Sequence, residues 1–192
     1  MSDIQDDPAT WFAIDFDDNT DGITSETELS GAPAALLRRL RELVPTWQSR
    51  GITPGSTQGW YEDGLMCVLI DLTDRGGRMS LGSLRLEIDD SAWDAGWVTA
   101  SGAGMDRLDE ADPQDRAGAA FADASSGAEA ASSWLVQQVE RPINRYVWRS
   151  GDGQVTARLW RLEDTGSPMI SSGPAELVSN PASADENVRV RP

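Results

Sequence analysis

The most constraining stretch of the sequence is Ile143 to Glu163, which reads as two strands joined by a tight turn. Runs rich in β-branched and aromatic residues flank Ser150-Gly151-Asp152-Gly153, and Asp-Gly suits the positive backbone dihedrals of a hairpin turn. Side chains alternate between the two faces of a strand, so the turn determines which residues share a face. One predicted face is apolar and is expected to hold a helix; it contains Tyr146, Trp148, Val155, Ala157 and Leu159. The other face contains Val147 and four residues called here the arginine ribbon, namely Arg145, Arg149, Arg158 and Trp160.

Charge and size limit the classes of partner. The chain has 192 residues, enough to bury a core without disulfides or metals. Its 16 basic residues are all arginine, and 32 acidic residues give a net charge of −16. This charge disfavours nucleic acid and membranes as direct partners, because phosphate binding needs a dense cationic surface. The expected partner is another protein with a basic surface, and the alternative is that the charge only maintains solubility.

Missing residue types exclude several kinds of catalysis. Without histidine the chain has no Ser-His-Asp or Cys-His arrangement, and without lysine it has no Schiff base or Walker lysine. Cys67 is the only cysteine, so there is no internal disulfide, and its position in an apolar run predicts an inert buried thiol. No catalytic residues and no cofactor are therefore expected, and any catalysis would depend on carboxylates, tyrosine or arginine.

Apolar periodicity predicts an α+β fold with the order β-α-β-β-β-α-β-β. Strands are expected at 11–16, 64–72, 79–89 and 97–101, before the hairpin. A first helix opens near Pro33 and ends or kinks at Pro45, whereas a second begins at a capping box of Ser126 and Glu129 and stops at Pro142. Residues 102–126 read as loop, with a weak helix around 117–124. We expect an antiparallel sheet of about five or six strands with two main helices on one face.

The predicted domain organisation is a disordered N-terminus over residues 1–9, a single α+β domain over 10–170, and a disordered C-terminal tail over 171–192. The sequence begins without a basic, apolar leader, and its longest strongly apolar run is too short to span a bilayer. A cytoplasmic protein is therefore expected.

A twelve-residue acidic stretch matches the spacing of a calcium-binding EF-hand loop. Its oxygen ligands stand at positions 1, 3, 5 and 12, which are Asp17, Asn19, Asp21 and Glu28, and Gly22 occupies position 6. The segment before it reads as a strand, position 8 is Thr24 instead of a large apolar residue, and no second loop pairs with it. A single-loop calcium site and a plain acidic loop are the two interpretations.

The main functional hypothesis is a non-catalytic protein of the immunity, antitoxin or secretion-chaperone kind that covers a surface of a partner protein. Element order, small size and low pI resemble class I secretion chaperones, and this resemblance implies a homodimer that binds unfolded stretches of an effector. The alternatives are a DNA-mimic inhibitor of a nucleic-acid-binding protein, and a carboxylate-based enzyme or sugar-binding module with a Trp-lined cleft.

The arginine ribbon has two interpretations. Its arginines pair with the acidic segments 17–28 or 106–115 and hold those loops against the sheet, or they form an exposed partner patch. Arginine and tryptophan are enriched at interface hot spots, which supports the second interpretation.

Overall fold

The computed structural model describes residues 7–16, 22–74, 80–98, 100–101, 104–105 and 115–191. The fold is α+β, as predicted, but its strands form two main sheets. The chain divides into two compact units, where the sequence indicates a single domain over 10–170. The larger unit comprises residues 1–72 and 83–139, and the smaller unit comprises residues 73–82 and 140–192. Residues 1–6 of the predicted disordered N-terminus lie outside the described part, and residues 8–10 form a 3₁₀ turn.

The larger unit contains most of a six-stranded sheet; Thr73 at the end of its third strand and residues 80–82 at the start of its fourth are assigned to the smaller unit. Its strands are β1 (Ile14–Phe16), β2 (Thr57–Glu62), β3 (Leu65–Thr73), β4 (Ser80–Ile88), β5 (Ala92–Val98) and β8 (Arg116–Ala120), in the spatial order β1-β2-β3-β4-β5-β8. The short strands β6 (Ala100–Ser101) and β7 (Gly104–Met105) pair separately with each other. The strands predicted at 64–72 and 79–89 are confirmed as β3 and β4.

The prediction of a purely antiparallel sheet is wrong, because β1 pairs with β2 in parallel. The helical segment between these strands returns the chain to the end of the sheet where β1 began, and such a crossover makes neighbouring strands parallel. The first strand is also shorter than predicted. Trp11 and Phe12 form a turn in which Phe12 has a φ of 52°, and both side chains are fully buried, which strand alternation does not allow.

The described part of the larger unit contains three α-helices: α1 (Gly31–Glu42), α2 (Val44–Ser49) and α3 (Ala124–Val139). The predicted break at Pro45 is confirmed, because α1 ends at Glu42 and Pro45 lies in the first turn of α2. The capping box predicted for the second helix is wrong. Asp123 caps the N-terminus of α3 instead, since its carboxylate accepts a hydrogen bond from the backbone N–H of Ser126 at 2.9 Å. This bond lowers the pKa of Asp123.

Helices α1 and α3 cover one face of the six-stranded sheet, as predicted. A single buried cluster joins Leu36 and Leu40 of α1 and Leu135 of α3 to alternate residues of β3, β4 and β5. Those strand residues are Met66, Val68, Ile70, Leu84, Leu86, Ile88, Trp93 and Ala95. The spacing of two along each strand explains why one face alone carries this core.

The structure contradicts the loop or weak helix predicted around residues 117–124. Arg116–Ala120 is strand β8, which pairs antiparallel with β5 from Ala92 to Gly96. Alanine and glycine carry little strand propensity of their own, so the pairing with β5 decides the conformation. Gly118 fits closely there, because a Cβ at this position would lie 2.8 Å from the carbonyl oxygen of Trp93.

The smaller unit contains β9 (Ile143–Arg149), β10 (Val155–Leu162), β11 (Pro168–Ser172), α4 (Ala175–Val178) and β12 (Glu186–Arg191). These four strands form an antiparallel sheet in the order β11-β10-β9-β12. A disordered tail from residue 171 is therefore not observed, since β12 pairs with β9. Valines 188 and 190 alternate with arginines 189 and 191, which is a strand pattern that sequence reasoning missed.

The C-terminal segment also covers the apolar face of the β9–β10 hairpin. Trp148, Ala157 and Leu159 are buried there with Leu177, Val178 and Ala184 packed against them. The prediction that this face holds the second helix is therefore wrong. The short α4 and the turn after it supply this apolar surface.

Truncation of the sheet core tests this packing. Leu86→Ala removes a fully buried side chain, and we expect it to lower the free energy of unfolding by about 2–5 kcal/mol. The matched control is Leu65→Ala on β3, where the side chain is 37% exposed, with an expected change within about 0.5 kcal/mol. Urea denaturation measures both. Equal losses from the two variants would contradict the assignment of the buried face.

Candidate functional site

The register of β9 and β10 brings most of the arginine ribbon together. Arg145 lies opposite Trp160, and Arg158 lies opposite Val147, so these four residues share one face as predicted. An irregularity between Val155 and Ala157 shifts the register near the turn. Val155 consequently lies opposite Arg149 and not on the apolar face where it was predicted.

Two members of the arginine ribbon bind the same carboxylate. Arg145 Nη2 donates to Glu186 Oε1 at 2.8 Å, and Arg149 Nη2 donates to Glu186 Oε2 at 3.3 Å. The backbone N–H of Arg149 also donates to Asp185 at 2.6 Å. These acids belong to the C-terminal segment, so neither of the two predicted acidic loops is the partner that the structure shows for Arg145 and Arg149. Arg145 and Arg149 are therefore neutralised by an acid of their own unit.

The remaining members of the ribbon differ in accessibility. Trp160 is only 2% exposed, which leaves its ring unavailable for stacking on a partner in this structure. Arg158 is partly exposed and forms no ion pair with a described residue. The partner patch proposed from the sequence is therefore split between two ion-paired arginines, a buried tryptophan and one arginine.

Other arginines of the smaller unit are paired in the same way. Arg141 forms a two-pronged contact with Asp164 at 2.9 Å, and Arg189 donates to Glu163 at 2.6 Å. The contact with Arg141 lowers the pKa of Asp164. Charge is therefore balanced locally in this unit.

The ion pairs of Glu186 should make the melting temperature depend on pH in the acid range. Hydrogen bonds from Arg145, and then from Arg149, lower the pKa of Glu186. A carboxyl whose folded-state pKa is lowered contributes stability above its unfolded-state pKa, and this contribution is lost as the pH falls through the folded-state pKa. We expect Glu186→Gln to lower the melting temperature at pH 7, and the deficit to shrink below about pH 4.

Glu176→Gln provides the control for this experiment, because Glu176 is exposed in the same unit and forms no ion pair with a described residue. It should change the melting temperature little at any pH. A deficit for Glu186→Gln that is constant from pH 7 to pH 3 would contradict the proposed role of the ion pairs.

Three of the four predicted calcium ligands, Asp17, Asn19 and Asp21, lie outside the described residues. Glu28 is described, and its Oε2 accepts the backbone N–H groups of Thr24 at 2.7 Å and Ser25 at 3.1 Å. These bonds, of which that from Thr24 is the strongest influence, lower the pKa of Glu28. Within the described residues no group of three or more metal-ligating side chains is found.

Calcium addition tests the loop directly. A calcium site would need the Glu28 carboxylate as a bidentate ligand, whereas this carboxylate already caps a 3₁₀ turn. We therefore expect millimolar calcium to leave both the melting temperature and the amide resonance of Gly22 unchanged. A calcium-dependent rise in melting temperature that Glu28→Gln abolishes would establish the site instead.

The larger unit carries an acidic groove on the second face of its sheet, which is the face opposite α1 and α3. Glu87 on β4 and Asp94 on β5 are directly opposed neighbours in the register, and Asp94 in turn faces Gly118 of β8. The groove has a volume of about 720 Å³ and is lined by these residues with Leu65, Asp89, Trp93 and Arg116 among others. Sequence reasoning missed it because β8, which completes it, was not recognised.

Arginines hold both central carboxylates of this groove. Arg85 pairs with Glu87 at 2.6 Å and places its guanidinium 5.3 Å from the ring centre of Trp60. Arg116 contacts both carboxylate oxygens of Asp94, with Nε 3.0 Å from Oδ1. Burial raises the pKa of the nearby Cys67 thiol to about 12, so this group is protonated and unreactive at neutral pH.

Charge is distributed very unequally between the two units. The larger unit contains 24 acidic residues and seven arginines, which is a net charge of −17. The smaller unit contains eight acidic residues and nine arginines, which is a net charge of +1. The acidity that dominates the whole sequence therefore belongs to one unit.

No family model, curated protein or solved structure matches this chain. In the described residues no helix combines the length and apolar character needed to cross a membrane. The observed element order also departs from the order on which the resemblance to class I secretion chaperones rested, because β2, β3, β4, β5 and β8 all precede α3.

Proposed function

We propose that this protein is a non-catalytic, acidic binding protein whose larger unit covers a basic surface of another protein. The observation that carries the proposal is the segregation of charge, with −17 on the larger unit and +1 on the smaller. A surface field of this size attracts and orients a basic partner before contact, which mainly raises the association rate.

The ion pairs support the larger unit as the binding surface. In the smaller unit, Glu186, Asp164 and Glu163 each neutralise an arginine. The electrostatic field at the surface of this unit is therefore weak. In the larger unit, Asp15, Glu62 and Glu129 are exposed and form no ion pair with a described residue. This moves the proposed contact from the arginine ribbon, where the sequence alone had located it, to the acidic unit.

Residue chemistry supports a binding role over a catalytic one. The chain has no histidine or lysine, and the opposed carboxylates of Glu87 and Asp94 are each engaged by an arginine. An enzyme or sugar-binding module that uses the groove remains the alternative that this opposed pair favours. Hydrolysis of chromogenic glycosides that Glu87→Gln and Asp94→Asn both abolish would establish it.

A DNA-mimic inhibitor is the second candidate, and the same charge segregation favours it. The two proposals differ in the partner, because a mimic occupies the nucleic-acid site of its target. Duplex DNA would then displace a mimic from its partner, whereas a protein that covers another basic surface would stay bound.

Charge neutralisation tests the proposed surface. We expect the triple variant Asp15→Asn, Glu62→Gln and Glu129→Gln to retain less partner than wild type in affinity capture from the cells of origin. The control variant Asp15→Glu, Glu62→Asp and Glu129→Asp keeps the charge and should bind normally. Binding by wild type should weaken as salt rises, because screening shortens the reach of exposed charges. Equal capture by both triple variants would contradict the proposal.

A further inference from the structure

Strand β8 ends the six-stranded sheet, and among the described residues it pairs with β5 alone. Its sequence, Arg-Ala-Gly-Ala-Ala, contains no proline, and its register with β5 is regular from one end to the other. Natural edge strands are usually protected by bulges, prolines or inward-pointing charges, because an open edge invites pairing with another chain. β8 lacks all three devices: its only charged residue, Arg116, has its guanidinium on Asp94 of the neighbouring strand.

The hydrogen-bond pattern shows which backbone groups of β8 point outward. The N–H of Phe121 donates to the carbonyl of Ser91 at 3.0 Å, which makes this opposed pair a hydrogen-bonded one. Hydrogen-bonded and non-hydrogen-bonded pairs alternate along an antiparallel ladder. Ala117 and Ala119 therefore bond to β5, whereas the N–H and C=O groups of Gly118 and Ala120 point away from it.

The side chains of β8 leave this edge accessible. Arg116, Gly118, Ala119 and Ala120 are exposed, and the alanine and glycine side chains are too small to shield the backbone. On the second face the acidic groove runs beside the strand; there Arg116 pairs with Asp94 and Arg85 with Glu87, whereas Asp89 forms no ion pair with a described residue. Alternate side chains of a strand added at this edge would face the side of the sheet that carries these carboxylates.

We propose that the outer edge of β8 adds an extended, basic segment of the partner protein as a seventh strand. Main-chain hydrogen bonds to Gly118 and Ala120 provide affinity and register, and the net charge of −17 on the larger unit favours positive side chains on the added segment. A second copy of this chain is a poor occupant, because two chains of net charge −16 repel each other. This inference rests on the proposed function and specifies the form of the partner.

The variant that tests the edge is Ala120→Pro. It removes one outward N–H without removing a bond to β5, and proline is tolerated where the N–H of an edge strand faces solvent. Ala120→Val keeps the N–H and is the matched control. Circular dichroism and the melting temperature establish that both variants are folded.

The probe is a synthetic octapeptide of alternating lysine and threonine, titrated into the ¹⁵N-labelled full chain. We expect slowed hydrogen exchange at the amides of Gly118 and Ala120, and about tenfold weaker binding by Ala120→Pro but not by Ala120→Val. The same octapeptide with every backbone amide N-methylated should not protect these amides. This second measurement uses wild-type protein and does not depend on the folding of the proline variant.

Three outcomes would overturn the inference. Equal binding of the N-methylated peptide, or shifts across the acidic surface that leave the amides of Gly118 and Ala120 unchanged, would show that charge alone attracts the peptide. Protection of the amides that depends on protein concentration without peptide would identify a second copy as the occupant. If Ala120→Pro captures the partner normally while the charge-neutralised triple variant does not, this inference fails and the proposed function stands.

Discussion

Burial of one sheet face beneath α1 and α3 is the interaction on which the larger unit depends. Leucines of both helices meet alternate residues of β3, β4 and β5 in one continuous cluster, and each buried apolar side chain contributes about 1.5–3 kcal/mol. The buried side of α3 includes several small residues, among them Gly127, Ala128 and Ala131. This attraction is not directional. It determines which face of the sheet is covered, but it does not determine which strands pair at the edges of the sheet.

The two units differ in how their charges are balanced. In the smaller unit carboxylates meet arginines across neighbouring strands, and β12 is joined to β9 by Glu186 as well as by its backbone. In the larger unit acidic residues exceed arginines by 17. Exposed ion pairs contribute only about 0–1 kcal/mol each, and an excess of one sign opposes compaction. The excess of acidic residues therefore does not stabilise the fold, and this is the physical reason for proposing that it serves to bind a partner.

In the proposed interaction, the outer edge of β8 and the acidic charge of the larger unit have different roles. Long-range attraction would bring a basic chain to the larger unit but would not define how that chain is held. Backbone hydrogen bonds along an edge define direction and register and carry little information about charge. The groove that contains Glu87, Asp89 and Asp94 lies beside β8, so acidic side chains and the strand edge are next to each other.

The sequence by itself determined the elements whose signal is local. Apolar alternation located β3 and β4, Pro45 located the break between α1 and α2, and the hairpin turn located the strands that carry Arg145 and Trp160 on one face. The overall acidity and the α+β class were likewise readable from composition and periodicity. These features depend on covalent geometry and on burial patterns within a few residues, so no knowledge of distant contacts is needed.

Only the tertiary structure decided the features that depend on residues far apart in the chain. β8 is a strand because β5 offers a ladder to an alanine-rich segment with no strong preference of its own, and the parallel pairing of β1 follows from the helical crossover. Glu186 neutralises Arg145 from 41 residues away, so no local pattern identified it as the partner. The candidate surface thus moved from a hairpin visible in the sequence to an edge and a groove that exist only after distant strands have paired.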